Sequence, residues 1–334
     1  MTKPSASLMY LLSYYGHCGH PAVYFDLNRL GKCTKKEFIA GERKDGTSAL
    51  FGACQNRHLE ASSTLIAMIT NIDLDLDVKK ELLAGRREDG TSSLFIACQY
   101  GYHEIVTVLI AGIFSSDLNF SNGEKAELLA GKSKNDCPAL HVACQNGHPE
   151  TVTVLIAGIC RADLNVNNSK RIELLAGKSS NGWPALYIAC QYGHHKTVTA
   201  LIAAICRGNL NINDDGKTEF SAGKNKYCFS TLISAFISTI RGGSRNLSKH
   251  QKVELIAGES NSGCPALHVA CENGNLDVVT VLVSAICSSA LSLSQSEKDK
   301  LLAGKDEESG VSALERARAL GHDKIVEFLR NCGM

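Results

Sequence analysis

Long apolar runs are missing from this sequence. The longest, such as Val152 to Cys160, extend about ten residues and are broken by Thr and Gly, whereas a helix that crosses a bilayer needs about 20. A secretory leader is not in view either. Met1 to Cys18 holds one lysine and the five apolar residues Leu8-Met9-Tyr10-Leu11-Leu12, short of the roughly 7–15 of a leader's apolar segment. Charge of one sign is lacking as well: 35 basic against 34 acidic side chains leave a net charge of +1. Such a balance exerts no long-range pull on nucleic acid or an anionic membrane. Together these absences predict a soluble, cytoplasmic chain with no membrane span and no cleaved leader. With 44% hydrophobic and 21% charged residues, the chain can bury a core and is not disordered.

Cysteine is abundant, with 14 in 334 residues, but its placement argues against a disulfide scaffold. Cys54, Cys98, Cys144, Cys190 and Cys271 each follow an alanine in the same recurring phrase. That is one helical register used repeatedly, and it predicts reduced thiols.

The recurrence is extensive. Cys137-Pro138-Ala139-Leu140-His141-Val142-Ala143-Cys144 reappears unchanged at 264–271, and an Ala-Gly dipeptide places glycines at 41, 85, 131, 177, 223, 258 and 304. The spacings are 44, 46, 46, 46, 35 and 46, a period characteristic of repeat architectures. Within the copy at 137–182, Pro138 opens a first helix; Ser48, Ser92 and Ser312 stand in its place elsewhere and can cap the same end. That helix runs through Leu140, Ala143 and Cys144 to Asn146-Gly147, where glycine permits a left-handed turn. His148-Pro149-Glu150 starts a second helix carrying Val152, Leu155, Ile156 and Ile159 at three- and four-residue spacing. Asp163-Leu164-Asn165 leaves it extended, and a third, short helical piece ends at Leu174-Leu175 and Gly177. Ser121 with Glu124, and Ser294 with Glu297, have capping-box spacing before that piece.

Leu140-His141-x-Ala143-Cys144-x-x-Gly147-His148-x-Glu150 resembles the ankyrin signature Leu-His-x-Ala-Ala-x-x-Gly-His-x-Glu, and Asp163-Leu164-Asn165 resembles the phrase that follows the second helix in that family. The resemblance covers 38–334 apart from one damaged copy. It implies an all-α, ankyrin-type repeat solenoid of helix-turn-helix units. The copies depart from the family in length, about 46 residues against about 33. Most of the excess lies in the finger loop, where a short helical insert is expected to replace the usual hairpin.

This reading divides the chain into a divergent N-terminal cap (1–37, holding Leu8, Leu11 and Leu12), repeats one to four (38–223), a degenerate fifth repeat (224–257) and repeats six and seven (258–334). The fifth copy keeps Leu232 and Ala235 but lacks the following glycine and is eleven residues short, which predicts a kink or gap in the stack and a break in cooperativity. The seventh copy carries the charged face expected of a terminal cap.

Chemistry-bearing residues fit structural roles better than catalytic ones. His17-Cys18-Gly19-His20 with Cys33 lacks the second ligand pair of a zinc site. Five equivalent cysteines do not form one special nucleophile. His141 and His268 alternate with Phe51, Phe95 and Tyr187, so size matters there more than titration. Lys132, Lys178, Lys224 and Lys305 lack the first glycine of a phosphate-binding loop and suit a helix C-terminus. Arg241, Arg245, Lys249, His250 and Lys252 form a basic stretch without aromatic residues for base stacking, which reads as a solvated loop. No catalytic residue, metal ligand, cofactor or small-molecule substrate is expected.

The resemblance implies a protein partner, with contacts from the residue after each finger glycine and the two before each inter-helix glycine. The first position holds Thr47, Thr91, Cys137, Trp183, Phe229, Cys264 and Val311; the second includes Gln99-Tyr100, Gln145-Asn146, Gln191-Tyr192 and Glu272-Asn273. Trp183, Phe229, Tyr100, Tyr192, Gln191, Gln145 and Asn146 are the candidate partner-binding residues, Trp183 being either an exposed anchor or a ring packed beneath the finger insert. A reading from another class is an enzyme or targeting factor with its activity in 1–37 and the fifth copy. A third is a secreted bacterial effector acting in a host cytosol, because arrays of near-identical ankyrin copies resemble such proteins.

Overall fold

The computed structural model describes residues 6–16, 31–43, 45–161, 163–206 and 247–334. Among them there are 19 α-helices, one 3-10 turn (Ser289–Leu291) and no strand. No described helix is long and apolar enough to cross a membrane. The chain divides into two compact units, residues 1–143 with 164–166, and residues 144–163 with 167–334.

Among the described residues a full copy contributes a seven-residue first helix, a longer second helix and a nine-residue third helix, and the last copy has the first two. The first unit contains α1 (Ala6–Tyr14), α2 (Lys32–Ala40), α3 (Ala49–Gln55), α4 (Leu59–Asn71), α5 (Leu76–Ala84), α6 (Ser93–Gln99), α7 (His103–Ile113) and α8 (Asn122–Ala130). First helices stack on first helices (α1 on α3, α3 on α6), α4 packs on α7, and third helices follow suit (α2 on α5, α5 on α8). The boundary falls inside α9 (Ala139–Gln145). The second unit continues with α10 (Pro149–Ile159), α11 (Asn168–Ala176), α12 (Ala185–Gln191), α13 (His195–Cys206), α14 (Lys249–Ala257), α15 (Ala266–Glu272), α16 (Leu276–Cys287), α17 (Gln295–Ala303), α18 (Ala313–Ala319) and α19 (Asp323–Asn331).

Local chemistry sets these helices. Ser48, Ser92 and Ser312 accept the N–H of Phe51, Phe95 and Glu315, and the capping boxes Ser121–Glu124 and Ser294–Glu297 are both formed. Each third helix ends at the glycine of the Ala-Gly dipeptide, left-handed at φ 54° in Gly85, where a Cβ would also strike Ser93 Oγ at 2.2 Å. That glycine both reverses the chain and admits the next first helix. The apolar face of α10, Val152, Leu155, Ile156 and Ile159, is buried, as are all five cysteines of the recurring phrase.

A row of cations absent from the sequence-based reading fixes the third helices. Lys79 Nζ donates to Thr70 O at 2.8 Å, Arg171 Nη1 to Ile159 O at 2.5 Å and Lys298 Nζ to Cys287 O at 3.3 Å. Each ties a third helix to carbonyls at the end of the preceding second helix, which have no helical partner and carry the negative end of the helix dipole. Lys132, directly after the Gly131 cap of α8, pairs with Asp136 across the finger turn at 3.4 Å.

Two expectations need correction. The finger keeps a tight turn beyond the third helix: Ser179 N–H donates to Trp183 O at 3.1 Å and Gly182 N–H to Ser179 O at 2.8 Å, and Ser133, Ser260 and Arg87 close equivalent turns. The N-terminal helix is anchored by Met9, Tyr10 and Ser13, while Leu11 is 47% exposed; α1 is short, and its buried face is set by contact with α3. The fifth copy produces no gap between the described repeats. Leu232, Ala235 and most of that copy lie outside the described residues, but α12 packs directly on α15 and α13 on α16. Asn275 Nδ2 donates to Cys190 O at 2.9 Å and Gln191 O at 3.2 Å, matching the join from His194 Nε2 to Gln145 O at 2.9 Å and from His322 Nε2 to Glu272 O at 3.0 Å. α14 then packs on α11 and α13 in the place of a third helix. The 42 residues 207–248 thus separate the second and third helices of the fourth copy, where eight (160–167) suffice in the third.

Candidate partner-binding surface

In the second unit the surface is built at both ends of α12. At its start, the finger turn of Ser179 to Trp183 delivers Trp183 just before Pro184, the N-cap. The indole is 39% exposed and lies on Tyr187, ring centroids 6.1 Å apart. It is therefore part-exposed, with the Tyr187 ring as its neighbour. The Tyr187 hydroxyl bonds with the Cys264 thiol, and burial raises the pKa of both groups, Cys264 to about 11. Neither group ionises near neutral pH, so this pair contributes shape and polarity rather than a nucleophile.

At the other end Tyr192 caps α12 and is 54% exposed. Its ring stacks on His194 at 6.1 Å, and His194 is itself pinned to Gln145 O. Asn146, beside Gln145, is exposed. Gln191 is half-buried, its main-chain oxygen bonded to Asn275 and its side-chain Oε1 buried without a partner. Trp183 and Tyr192 thus stand about 14 Å apart by helical rise, each backed by a second ring. Such supported aromatic residues suit partner binding, since little side-chain freedom remains to be lost.

Tyr100 belongs to the first unit. It is 46% exposed and stacks on Tyr102 at 5.6 Å, over which the Arg57 guanidinium sits at 5.5 Å. Phe229 lies outside the described residues. Thr47 and Thr91, read as contact positions, are buried instead; their N–H groups are held by Asp45 and Asp89 inside the turn. Sequence register could not show this, because a small threonine tucks into the turn where tryptophan cannot.

The remaining candidates are structural. Burial pushes the Cys54 and Cys271 thiols up to about 12 and that of Cys144 well above the ordinary range, which keeps them protonated. Buried His268 shares a hydrogen bond with Gly304 O through Nδ1 at 3.1 Å, and His141 is buried in the same register. The basic stretch is partly helical: Lys249 pairs with Glu297 at 2.5 Å and Lys252 is buried on α14, while Arg241 and Arg245 lie outside the described residues. So do His17, Cys18, Gly19 and His20. Among the described residues no three His, Cys, Asp or Glu side chains stand close enough to share a metal ion.

Comparison with protein families agrees with the geometry. The model described as Ankyrin repeats (3 copies) matches residues 22–122, 81–168, 117–214 and 140–237, and that described as Ankyrin repeat matches 262–290. Together these matches span more than half of the chain. No curated protein matches it.

Proposed function

Because the chain belongs to the ankyrin-repeat family, whose repeats generally serve as protein–protein interaction modules, we propose that it is a scaffold that binds a partner protein through the finger and first-helix surface of its second unit. The observation that carries this reading is the exposure of Trp183 and Tyr192 on rings that hold them in place. Trp183 supplies the anchor, Tyr192 a second aromatic contact, and Gln145, Asn146 and Gln191 the polar rim; Tyr100 offers a comparable contact on the first unit. The residues favour binding over catalysis, because burial keeps the thiols of the recurring phrase protonated. A reducing, cytoplasmic setting suits ten described cysteines that are all unbridged.

The test uses the full chain as bait, with a partner identified by mass spectrometry and its affinity measured for variants. Trp183→Ala should weaken binding by about 2 kcal/mol or more while leaving the fold within about 1.5 kcal/mol of wild type, the scale of one aromatic pair. Thr153→Ala on α10, away from this surface, should change neither. A partner that binds Trp183→Ala and Tyr192→Ala as well as wild type would refute the proposed surface.

A further inference from the structure

Two thiols stand apart from the buried row. Of the ten described cysteines only Cys287 and Cys332 are exposed, and they end neighbouring helices of the second unit. Cys287 is the last residue of α16 and Cys332 the C-cap of α19, and these two helices pack together. The pairing is peculiar to this junction. Cys160 shares the register of Cys287, but in the next copy Ala204 stands where Cys332 stands in the last.

Register puts both thiols on the facing sides of their helices. Val283 of α16 is 3% exposed, whereas Arg330, its counterpart in the last copy, is exposed. The side of α16 that carries Val283 is therefore the one that α19 covers. Cys287 follows Val283 by four residues, one turn along that side. On α19 the buried residues Ile325 and Leu329 precede Cys332 by seven and three, so the cysteine continues their stripe. Burial raises the pKa of the Cys332 thiol, and the charge of Cys287 close by raises it further. A pair of exposed sulfurs is thus gathered at one end of a helix–helix contact, where a small reagent can reach both.

We infer that Cys287 and Cys332 form a dithiol modification site, independent of the partner-binding surface, which a low-molecular-weight disulfide such as oxidised glutathione converts into an intramolecular disulfide. One thiolate attacks a sulfur of the reagent and expels the first glutathione thiolate; the other attacks the protein sulfur of the mixed disulfide and expels the second. Two electrons pass from the cysteine pair to the reagent, and the two thiol protons end on the two glutathione molecules released. The bond closes residues 287–332 into a loop that contains α17, α18 and α19. Cross-linking such a loop restrains the unfolded chain, so oxidation fastens the last copy to the sixth.

The test equilibrates the full chain with glutathione at set ratios of oxidised to reduced form, quenches with an alkylating agent under denaturing conditions and maps the cysteines by mass spectrometry. A peptide pair linked through Cys287 and Cys332 should accumulate reversibly as the ratio rises, while the eight other described cysteines remain open to alkylation. Cys287→Ser should leave a glutathione adduct on Cys332, and Cys332→Ser one on Cys287, because neither mixed disulfide then has a second thiol to resolve it. In the oxidised wild-type chain, hydrogen exchange across α18 and α19 should slow at least about tenfold. The Cys287→Ser, Cys332→Ser double variant should show no such change under the same conditions. The proposal is overturned if wild type accumulates adducts at both thiols without the link, if the bond joins two chains instead, or if neither thiol reacts. A link that forms without slowing exchange would overturn the fastening of the last copy.

Discussion

Asn275 donates its side-chain amide to the main-chain oxygen of Cys190 at 2.9 Å across 85 residues of chain. The equivalent join between regular neighbours, from His194 to Gln145, spans 49. The extra length belongs to the connection 207–248, and α12 packs on α15 directly. Replacing 207–248 with the eight-residue connection 160–167 should therefore preserve helix content and a cooperative melt. Asn275→Ala should cost about 1–2 kcal/mol, since two hydrogen bonds are lost at once. Circular dichroism and calorimetry on both variants check this, and collapse of the shortened chain would show that 207–248 is needed for folding.

Alkaline pH should weaken the fold through its buried thiols. In the unfolded chain a cysteine ionises near its ordinary value of about 8.5, but burial holds Cys54 and Cys271 protonated up to about 12. Above about pH 9 the unfolded state releases protons that the folded state keeps, so stability falls as pH rises, by up to about 1.4 kcal/mol per pH unit for each thiol. Below about pH 7 these groups contribute almost nothing to the slope. Urea melts between pH 8 and 10.5 should show a shallower decline in the Cys54→Ala, Cys271→Ala double variant, whatever its absolute stability. An unchanged slope would refute the assignment.

The cation row should govern the third helices. Arg171 is 4% exposed and bonds Ile159 O, so Arg171→Met should cost about 1.5–3 kcal/mol, the range for a hydrogen bond from a charged group. Lys79→Met, at a less buried site, should cost about 1 kcal/mol. Hydrogen exchange should accelerate across 168–176 and 76–84 respectively and leave the first helices protected. Uniform loss of protection in either variant would instead indicate a general packing defect.

Asp136 occupies a finger-turn position at φ 57°, where Gly46, Gly90, Gly182, Gly263 and Gly310 stand in the other described copies. Its pair with Lys132 is exposed on both sides and contributes little. Removing the left-handed strain outweighs the entropy that glycine adds to the unfolded chain. Asp136→Gly should thus stabilise by about 0.5 kcal/mol in denaturant melts, and a loss of that size would show that the Asp136 side chain supports the turn.

The sequence by itself determined the elements of this protein. Serine and glycine caps, three- and four-residue apolar spacing and the alanine–cysteine register act over a few residues, so the three helices of each copy, the capping boxes and the buried thiols were all legible. So was the ankyrin identity, which rests on one local signature. Only the tertiary structure decided how the copies meet. The direct seating of α15 on α12, the bond from Arg171 to Ile159 and the burial of Thr47 and Thr91 depend on residues brought together from different helices and turns. A register can align such residues, but it does not fix the distances between them. Those follow from packing.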